Sequence, residues 1–366
     1  MIVPRSTLAN DGTEGFDDEG VRVPAHDRTT TTRPAALLVM APDTFALQLG
    51  AEQVARLAAL VDLGDPVVLH ELDTPEALAR LADVEVLLTS WGAPALDATR
   101  LAAAPRLRAV LHCAGSVRGL VGPEVWDRGI VVSSAAEANA VPVAEYTLAA
   151  IIMAGKRAPF LAVSARLGGN GWSQATSRGT LSNLGRTVGI LGFSRIGRRV
   201  VELLRILDTA DVLVSDPYAD AAAVAAAGGT LVPLDEVLRR SEILSLHAPV
   251  LAETRHMIGA RELALLPDGA TLVNTARGAL VDHDALLAEC SSGRLDAILD
   301  VTDPEPLPPG SPFYELPNVM ITPHVAGSLG SETRRMSNHA IDELERLLDG
   351  RPLATPVTRE QLEVSA

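Results

Sequence analysis

The sequence predicts an α/β protein built from two doubly wound parallel sheets. Three observations lead there. Apolar runs of strand length alternate with helical patterns across residues 35–133 and again across 187–322, the order that parallel βαβ units require. The stretch Val188-Gly-Ile-Leu-Gly-Phe-Ser-Arg-Ile-Gly197 reads as strand, glycine turn and helix start, and Asp216 stands 19 residues beyond Gly197 after the next apolar run, as in a dinucleotide-binding unit. Polar residues also gather just past several strand ends, where open α/β sheets bind ligands.

Composition narrows the function. With 366 residues, 47% hydrophobic and 21% charged, the chain can bury two cores. Aromatics at 3% leave those cores to Ala, Leu, Val and Ile. The formal charge of −15 opposes nucleic-acid binding. No apolar run approaches transmembrane length, and acidic residues stand where a signal peptide has its apolar segment. A cytoplasmic protein without a membrane partner is therefore expected. Cys113 and Cys290 lack CxxC or His/Cys spacing and read as buried thiols, with neither a disulfide nor a metal site. Lys156 is the only lysine, and no GxxxxGK precedes it, which excludes a P-loop.

In chain order, residues 1–34 mix Gly, Pro, acidic residues and a threonine run without apolar periodicity, and are expected to form a disordered extension. Ordered structure is expected from the run at 35–40. A helix at 51–61 and a strand at 67–72 follow, and Thr74 with Pro75 provides an N-cap and first helical residue. Further strands are expected at 84–88, 107–113 and 130–133. The mostly apolar helix at 143–153 is too short to span a bilayer and needs burial on more than one side, between domains or at a dimer interface. Residues 168–186, rich in Gly, Ser and Asn, read as a connecting loop. The second unit carries strands near 187–191, 211–215, 243–247, 270–275 and 295–301, a Pro-rich stretch at 304–312, a last strand at 319–322 and a helix near 331–349.

Gly192 forms the turn in this reading, and Gly197 lets the helix pack closely on its strand. Ser194 stands where the pattern has a second glycine, and its hydroxyl can itself bond a phosphate oxygen. Arg195 and Ile196 open the helix whose N–H groups face a pyrophosphate. Asp216, before Pro217, can accept from adenosine ribose hydroxyls and repels a 2′-phosphate, which favours NAD over NADP. Alone, these residues also fit an ordinary strand-to-helix turn. Three segments past strand ends add chemistry: Asn274-Thr275-Ala276-Arg277, Asp300-Val-Thr-Asp-Pro-Glu305 and Thr322-Pro-His324. An Arg can grip a carboxylate bidentately, and a His beside a Glu is an acid/base pair suited to neutral pH. Singly they fit a capping arginine, a solvated glutamate and a turn histidine; together on one sheet they point to a site. His247, at the end of Ile243-Leu-Ser-Leu-His, lies near the presumed cofactor cleft with a structural role. His26, His70, His112, His256, His283 and His339 have no acidic or metal-ligand partner at a telling spacing. The loops carrying Trp91 and Gly115-Ser116-Val117-Arg118 leave the carboxyl ends of the first sheet and can offer N–H groups to an anion, or serve only as tight turns.

Read together, the sequence resembles the D-isomer-specific 2-hydroxyacid dehydrogenase family, which includes phosphoglycerate, glycerate and formate dehydrogenases. The resemblance spans residues 84–340 and is tightest over 184–328. It is carried by Val143-Ala-Glu145, Leu184-Gly-Arg-Thr-Val-Gly-Ile-Leu-Gly192, Asp216-Pro-Tyr218, Ser245-Leu-His-Ala-Pro249, Asn274-Thr-Ala-Arg-Gly278, Leu299-Asp-Val301 with Glu305-Pro306, and Thr322-Pro-His-Val-Ala-Gly-Ser328.

The resemblance implies a discontinuous substrate-binding domain, residues 35–132 and 323–352, with a Rossmann-like NAD-binding domain, 133–322, inserted into it, a tail at 353–366 and a homodimer. It implies His324 as general acid/base, Glu305 as its partner and Arg277 as the residue that binds and polarises a 2-oxo acid. Asp300 would hold the nicotinamide carboxamide, and Pro217, His247, Thr275 and Ala276 would join the cofactor turn in lining the NAD site. Trp91 and the backbone of Gly115, Ser116 and Val117 would complete the site for a small 2-oxo or 2-hydroxy acid. The same fold also serves NAD-sensing co-repressor scaffolds that keep this Arg, Glu and His. Two departures stand out: Ser194, and Arg118 in a loop where the family commonly has a second Gly and an Asp. Arg118 and Trp91 are expected to shape a pocket for a larger or more anionic substrate. Glu305 disfavours formate oxidation, whose branch has Gln there.

Overall fold

The computed structural model describes residues 33–166, 168, 181–209 and 211–364. Most of the expected N-terminal extension and of the 168–186 loop lies outside them. Pro34 is already buried, its carbonyl accepting from Asp62 N at 2.9 Å.

Two separate parallel sheets form. The first has order β2-β1-β3-β4-β5, from β1 (Ala36–Val39), β2 (Val68–Leu69), β3 (Val86–Thr89), β4 (Ala109–His112) and β5 (Val131–Ser134). The second has order β12-β11-β10-β9-β6-β7-β8, from β6 (Thr187–Leu191), β7 (Asp211–Ser215), β8 (Thr230–Leu231), β9 (Ile243–Leu246), β10 (Thr271–Asn274), β11 (Asp296–Leu299) and β12 (Val319–Ile321). The central strands are buried along their whole length. That is why they read as unbroken apolar runs, since helices cover both faces of a parallel sheet. Each sheet therefore has two cores: Leu38, Met40 and Leu111 on one face of the first and Leu37, Leu87 and Val110 on the other; Leu244, Leu272 and Leu299 on one face of the second and Ile190, Val273 and Ile298 on the other. The expected 67–72 strand shrinks to two residues at a sheet edge, and the equally short β8 has too little apolar run to be foreseen.

Chain order reverses between β1 and β3 and between β6 and β9, and such switch points open a crevice at the carboxyl ends of the strands. In the first sheet Trp91 sits there, its carbonyl accepting from Ala41 N at 2.9 Å. In the second the crevice holds the Gly192 turn.

Two helices join the units. Helix Ala136–Gly155 is longer than the expected 143–153 segment and, by length and composition alone, long enough to cross a membrane. Half of its most apolar window is buried inside the protein, against helix Arg195–Leu204, β9 and β10 on one side and helix Thr333–Leu348 on the other. Helix Thr333–Leu348 returns to the first sheet, where Met336, Ala340, Ile341, Leu344 and Leu347 are buried. Residues 353–364, read above as a tail, instead dock on that sheet. Glu343, 1% exposed, accepts from Ala354 N at 2.9 Å and Thr355 N at 3.0 Å. Val357 N then donates to Val132 O at 2.8 Å, and Trp126 Nε1 to Val357 O at 3.0 Å. A buried carboxylate needs such donors, and here they come from this segment.

Candidate functional site

The cofactor turn is shaped by what glycine lacks. Gly192 has φ +94°, and a Cβ there would lie 2.7 Å from Ala248 N; a Cβ on Gly197 would lie 2.0 Å from Gly192 O. Only glycine allows strand, turn and helix to close this tightly. Ser194 is the N-cap of helix Arg195–Leu204, with Oγ accepting from Gly197 N at 3.3 Å. Its hydroxyl is thus turned to the helix end, while the N–H groups of Arg195 and Ile196 precede the first intrahelical bond. The Arg195 side chain is drawn aside: its Nε meets Glu137 Oε1 at 2.9 Å, and Arg199 Nη2 meets Glu137 Oε2 at 3.2 Å.

Asp216 closes β7 and ties back to the turn, accepting from Phe193 N at 2.7 Å and from Tyr218 N, across Pro217, at 2.8 Å. A carboxylate has about four acceptor positions, so two remain for ribose hydroxyls. His247 is buried beside the turn, with Nε2 at 2.9 Å from Ser245 Oγ and Nδ1 buried without a hydrogen-bond partner among the described residues. Burial pushes its pKa down to about 3. The glycine-lined cradle, the open N–H groups and the orphaned His247 nitrogen fit a dinucleotide; Ser194 is the one side chain placed where the fit tightens.

Past β10, Asn274 straps the next turn, its Oδ1 accepting from Ala276 N at 3.0 Å and its Nδ2 donating to Arg277 O at 2.9 Å. Thr275 is buried and bonds Thr147 Oγ1 at 2.8 Å. Arg277 is exposed; its guanidinium donates to Ala276 O at 2.6 Å and forms no ion pair among the described residues, which leaves it able to take an anion.

Asp300 braces the His324 segment, and three bonds leave an acceptor position on Oδ2. Its Oδ1 accepts from Thr322 Oγ1 at 2.6 Å and Val325 N at 2.9 Å, and its Oδ2 from Ala326 N at 2.9 Å. Its carbonyl accepts from His324 N at 2.9 Å. These bonds hold His324 at φ +54°, a left-handed conformation that a non-glycine residue keeps only when its surroundings over-determine it. So held, His324 Nδ1 lies 2.5 Å from Glu305 Oε1, with both side chains partly exposed. Because a carboxylate oxygen accepts, Nδ1 carries the proton, and Nε2 is the nitrogen left for other chemistry.

A cleft of about 580 Å³ borders this pair, lined by Asp300, Thr302, Glu305, Leu307, Phe313, Tyr314, Thr322 and His324. Neither Arg277 nor the loops of the first sheet line it. The Gly115 loop faces the His324 segment through Asn139: Asn139 Oδ1 accepts from Ser328 N at 3.0 Å, and a Cβ on Gly115 would lie 3.4 Å from Asn139 Nδ2. Ser116 and Val117 follow Gly115, Val117 being buried, and Trp91 is 42% exposed. Arg118, expected to shape the pocket, instead donates to Leu362 O at 2.7 Å. Asn139 and Tyr146, whose hydroxyl lies 2.7 Å from Thr322 Oγ1, were not singled out from sequence. Both sit on helix Ala136–Gly155, and only the fold brings them to segments far along the chain.

Residues 148–326 match the model of the D-isomer-specific 2-hydroxyacid dehydrogenase NAD binding domain. The chain is 33% identical over 292 residues to D-3-phosphoglycerate dehydrogenase of Mycobacterium bovis, covering 79% of this chain and 54% of that protein. It thus spans about half the length of these curated relatives. It is also 33% identical over 275 residues to glyoxylate reductase of Aeropyrum pernix, covering 74% of this chain and 82% of that one. Among solved structures, a phosphoglycerate oxidoreductase from Rhizobium etli superposes with TM-score 0.76 at 25% identity, covering 89% of this chain and 99% of that one. With the glycine turn, the Arg277 strap and the His324–Glu305 pair on one seven-stranded sheet, the chain belongs to the D-isomer-specific 2-hydroxyacid dehydrogenase family, with NAD as its cofactor.

Proposed function

We propose that this protein interconverts a 2-oxo acid and a D-2-hydroxy acid, with His324 moving the proton, Glu305 holding His324 in place, and Arg277 binding the substrate carboxylate. The observation that carries this reading is the 2.5 Å contact between His324 Nδ1 and Glu305 Oε1, which leaves Nε2 as the reacting nitrogen. In reduction, protonated His324 gives its Nε2 proton to the carbonyl oxygen and ends neutral; in oxidation, neutral Nε2 takes the hydroxyl proton. Glu305 fixes the ring so that Nε2 is the nitrogen that exchanges the proton. NAD, when bound, supplies or accepts the hydride, so the balance is 2-oxo acid plus NADH plus a proton giving D-2-hydroxy acid plus NAD⁺.

Arg277, free of an ion pair among the described residues, suits a carboxylate held by two parallel N–H···O bonds. The backbone of Gly115, Ser116 and Val117, bridged to the His324 segment by Asn139, would close on the same carboxylate, and Trp91 would border the substrate. Asp216 favours NAD over NADP. The exposed Met153 and Leu184 support a homodimer at the end of helix Ala136–Gly155, to be read from the solution mass.

The test is NADH oxidation with glyoxylate, hydroxypyruvate and 3-phosphohydroxypyruvate, the first and last chosen because one relative is a glyoxylate reductase and another a D-3-phosphoglycerate dehydrogenase. Turnover of at least one is expected, with the D isomer as the product from hydroxypyruvate or 3-phosphohydroxypyruvate, glycolate being achiral. NADH binding without turnover of any 2-oxo acid would contradict the reading.

A further inference from the structure

His283 opens helix His283–Ser291, six residues past Arg277, and no sequence pattern gives it a role. Both of its ring nitrogens are spoken for by the backbone. Nδ1 lies 3.1 Å from Val281 O, and Asp303 N lies 3.3 Å from Nε2. A carbonyl only accepts and an amide N–H only donates, so Nδ1 carries the proton and Nε2 is an acceptor. The neutral ring alone can make both bonds. The ring also meets Phe313 edge to face, with centroids 5.8 Å apart.

The segment that His283 grips is the one that carries Glu305. Asp303 is two residues before Glu305, whose carboxylate meets His324. Thr302, next to Asp303, packs so closely on the turn after Arg277 that a Cβ on Gly278 would lie 2.0 Å from the Thr302 carbonyl carbon. Arg255 pairs with Asp303 Oδ2 at 3.0 Å from the outer side.

We propose that His283 is a positioning residue: its neutral imidazole ties the Glu305 loop to the segment that follows Arg277, and so sets Glu305 against His324. The inference rests on the reading of His324 and Glu305 as the acid–base pair. Protonating the ring places an N–H on Nε2 opposite the Asp303 N–H and removes the bond. Burial holds the His283 pKa below its ordinary value, with the Val281 carbonyl, Asp303 and Asp282 acting in the opposite direction and His256 acting with burial. Arg255 also faces the site, through Asp303. The clamp is therefore intact at neutral pH and released on the acid side.

The pH profile separates this release from the chemistry of His324. In the reduction direction His324 must hold a proton, so its own titration removes activity as pH rises. A loss of kcat as pH falls belongs to another group. His283→Gln keeps an acceptor, Oε1, at the Nε2 position but does not titrate, whereas His283→Leu has no acceptor.

The experiment is steady-state reduction against pH for wild type, His283→Leu and His283→Gln, with NADH affinity and Tm measured on each. The wild type is first shown to reduce a 2-oxo acid, so failure of the activity assignment is seen separately. The expected result is a loss of kcat of ~10-fold or more in His283→Leu with NADH affinity unchanged, recovery to near wild type in His283→Gln, and an acid limb that is shallower in His283→Gln. Equal kcat in wild type and His283→Leu, or an unchanged acid limb in His283→Gln, would overturn the proposal. If His283→Leu does not fold, the His283→Gln profile still decides. Nitrogen-15 NMR of labelled histidine gives a check independent of turnover: a neutral Nδ1–H ring is expected for His283, and an Nε2–H ring would contradict it.

Discussion

Ser194 Oγ accepts from Gly197 N at 3.3 Å, so the helix that begins at Arg195 meets a cofactor with one of its terminal donors already used. Ser194→Gly removes that competitor and costs only a few tenths of a kcal/mol in capping. The expected outcome is altered NADH affinity with kcat nearly unchanged, read by fluorescence titration and steady-state kinetics. Loss of binding would instead make the hydroxyl a phosphate ligand. Arg277 supports a second prediction. Arg277→Lys keeps the charge but loses the planar fork, so the 2-oxo acid KM should rise ~10-fold or more while NADH affinity holds. An unchanged KM would remove Arg277 from the carboxylate site.

At the scale of elements, the glycine turn and the His324 segment are built by opposite means. The turn depends on missing atoms: Gly197→Ala drives a methyl to 2.0 Å from Gly192 O, so about 1–3 kcal/mol of stability should be lost, with Tm lowered and NADH binding weakened. A variant as stable as wild type would show that the helix can shift away freely. The His324 segment depends on added bonds from Asp300. This contrast explains what was legible in the sequence. Buried parallel strands announce themselves as apolar runs, and Gly192, Gly197, Asp216, Arg277, Glu305 and His324 sit at recognisable spacings. Spacing does not reveal where a carboxylate spends its lone pairs, so the bonds by which Asp300 also braces the His324 loop are not foreseen. Nor does it reveal partners distant along the chain. Asn139, Tyr146, His283 and the docking of 353–364 through Glu343 all depend on contacts made only after both sheets form. Arg118 reads as a pocket residue for the same reason, until its Leu362 partner is seen.

At the scale of the molecule, each sheet buries a histidine near the carboxyl end of a strand. His112, bonded to Thr89 Oγ1 at 2.9 Å, is pushed by burial to about 4, and His247 to about 3. The unfolded rings titrate near 6.5, so below that pH the unfolded chain takes up protons that the folded chain refuses. The stability contributed by the neutral rings is complete above about pH 6.5 and is lost progressively as pH falls from there to the folded values, about 2 kcal/mol from each ring by pH 5. Urea unfolding at pH 7 and pH 5 checks this, and equal stability at both would contradict it. Burial also raises the Cys113 and Cys290 thiols to about 12, so both should resist alkylation until unfolding. In the proposed function His324 transfers a proton to a substrate beside bound NADH. That role is read from kcat for 2-oxo acid reduction by His324→Ala, with the NADH Kd measured on the same sample. We predict a fall in kcat of ~10²–10⁴-fold with the NADH Kd unchanged; near wild-type kcat with intact NADH binding would contradict the account.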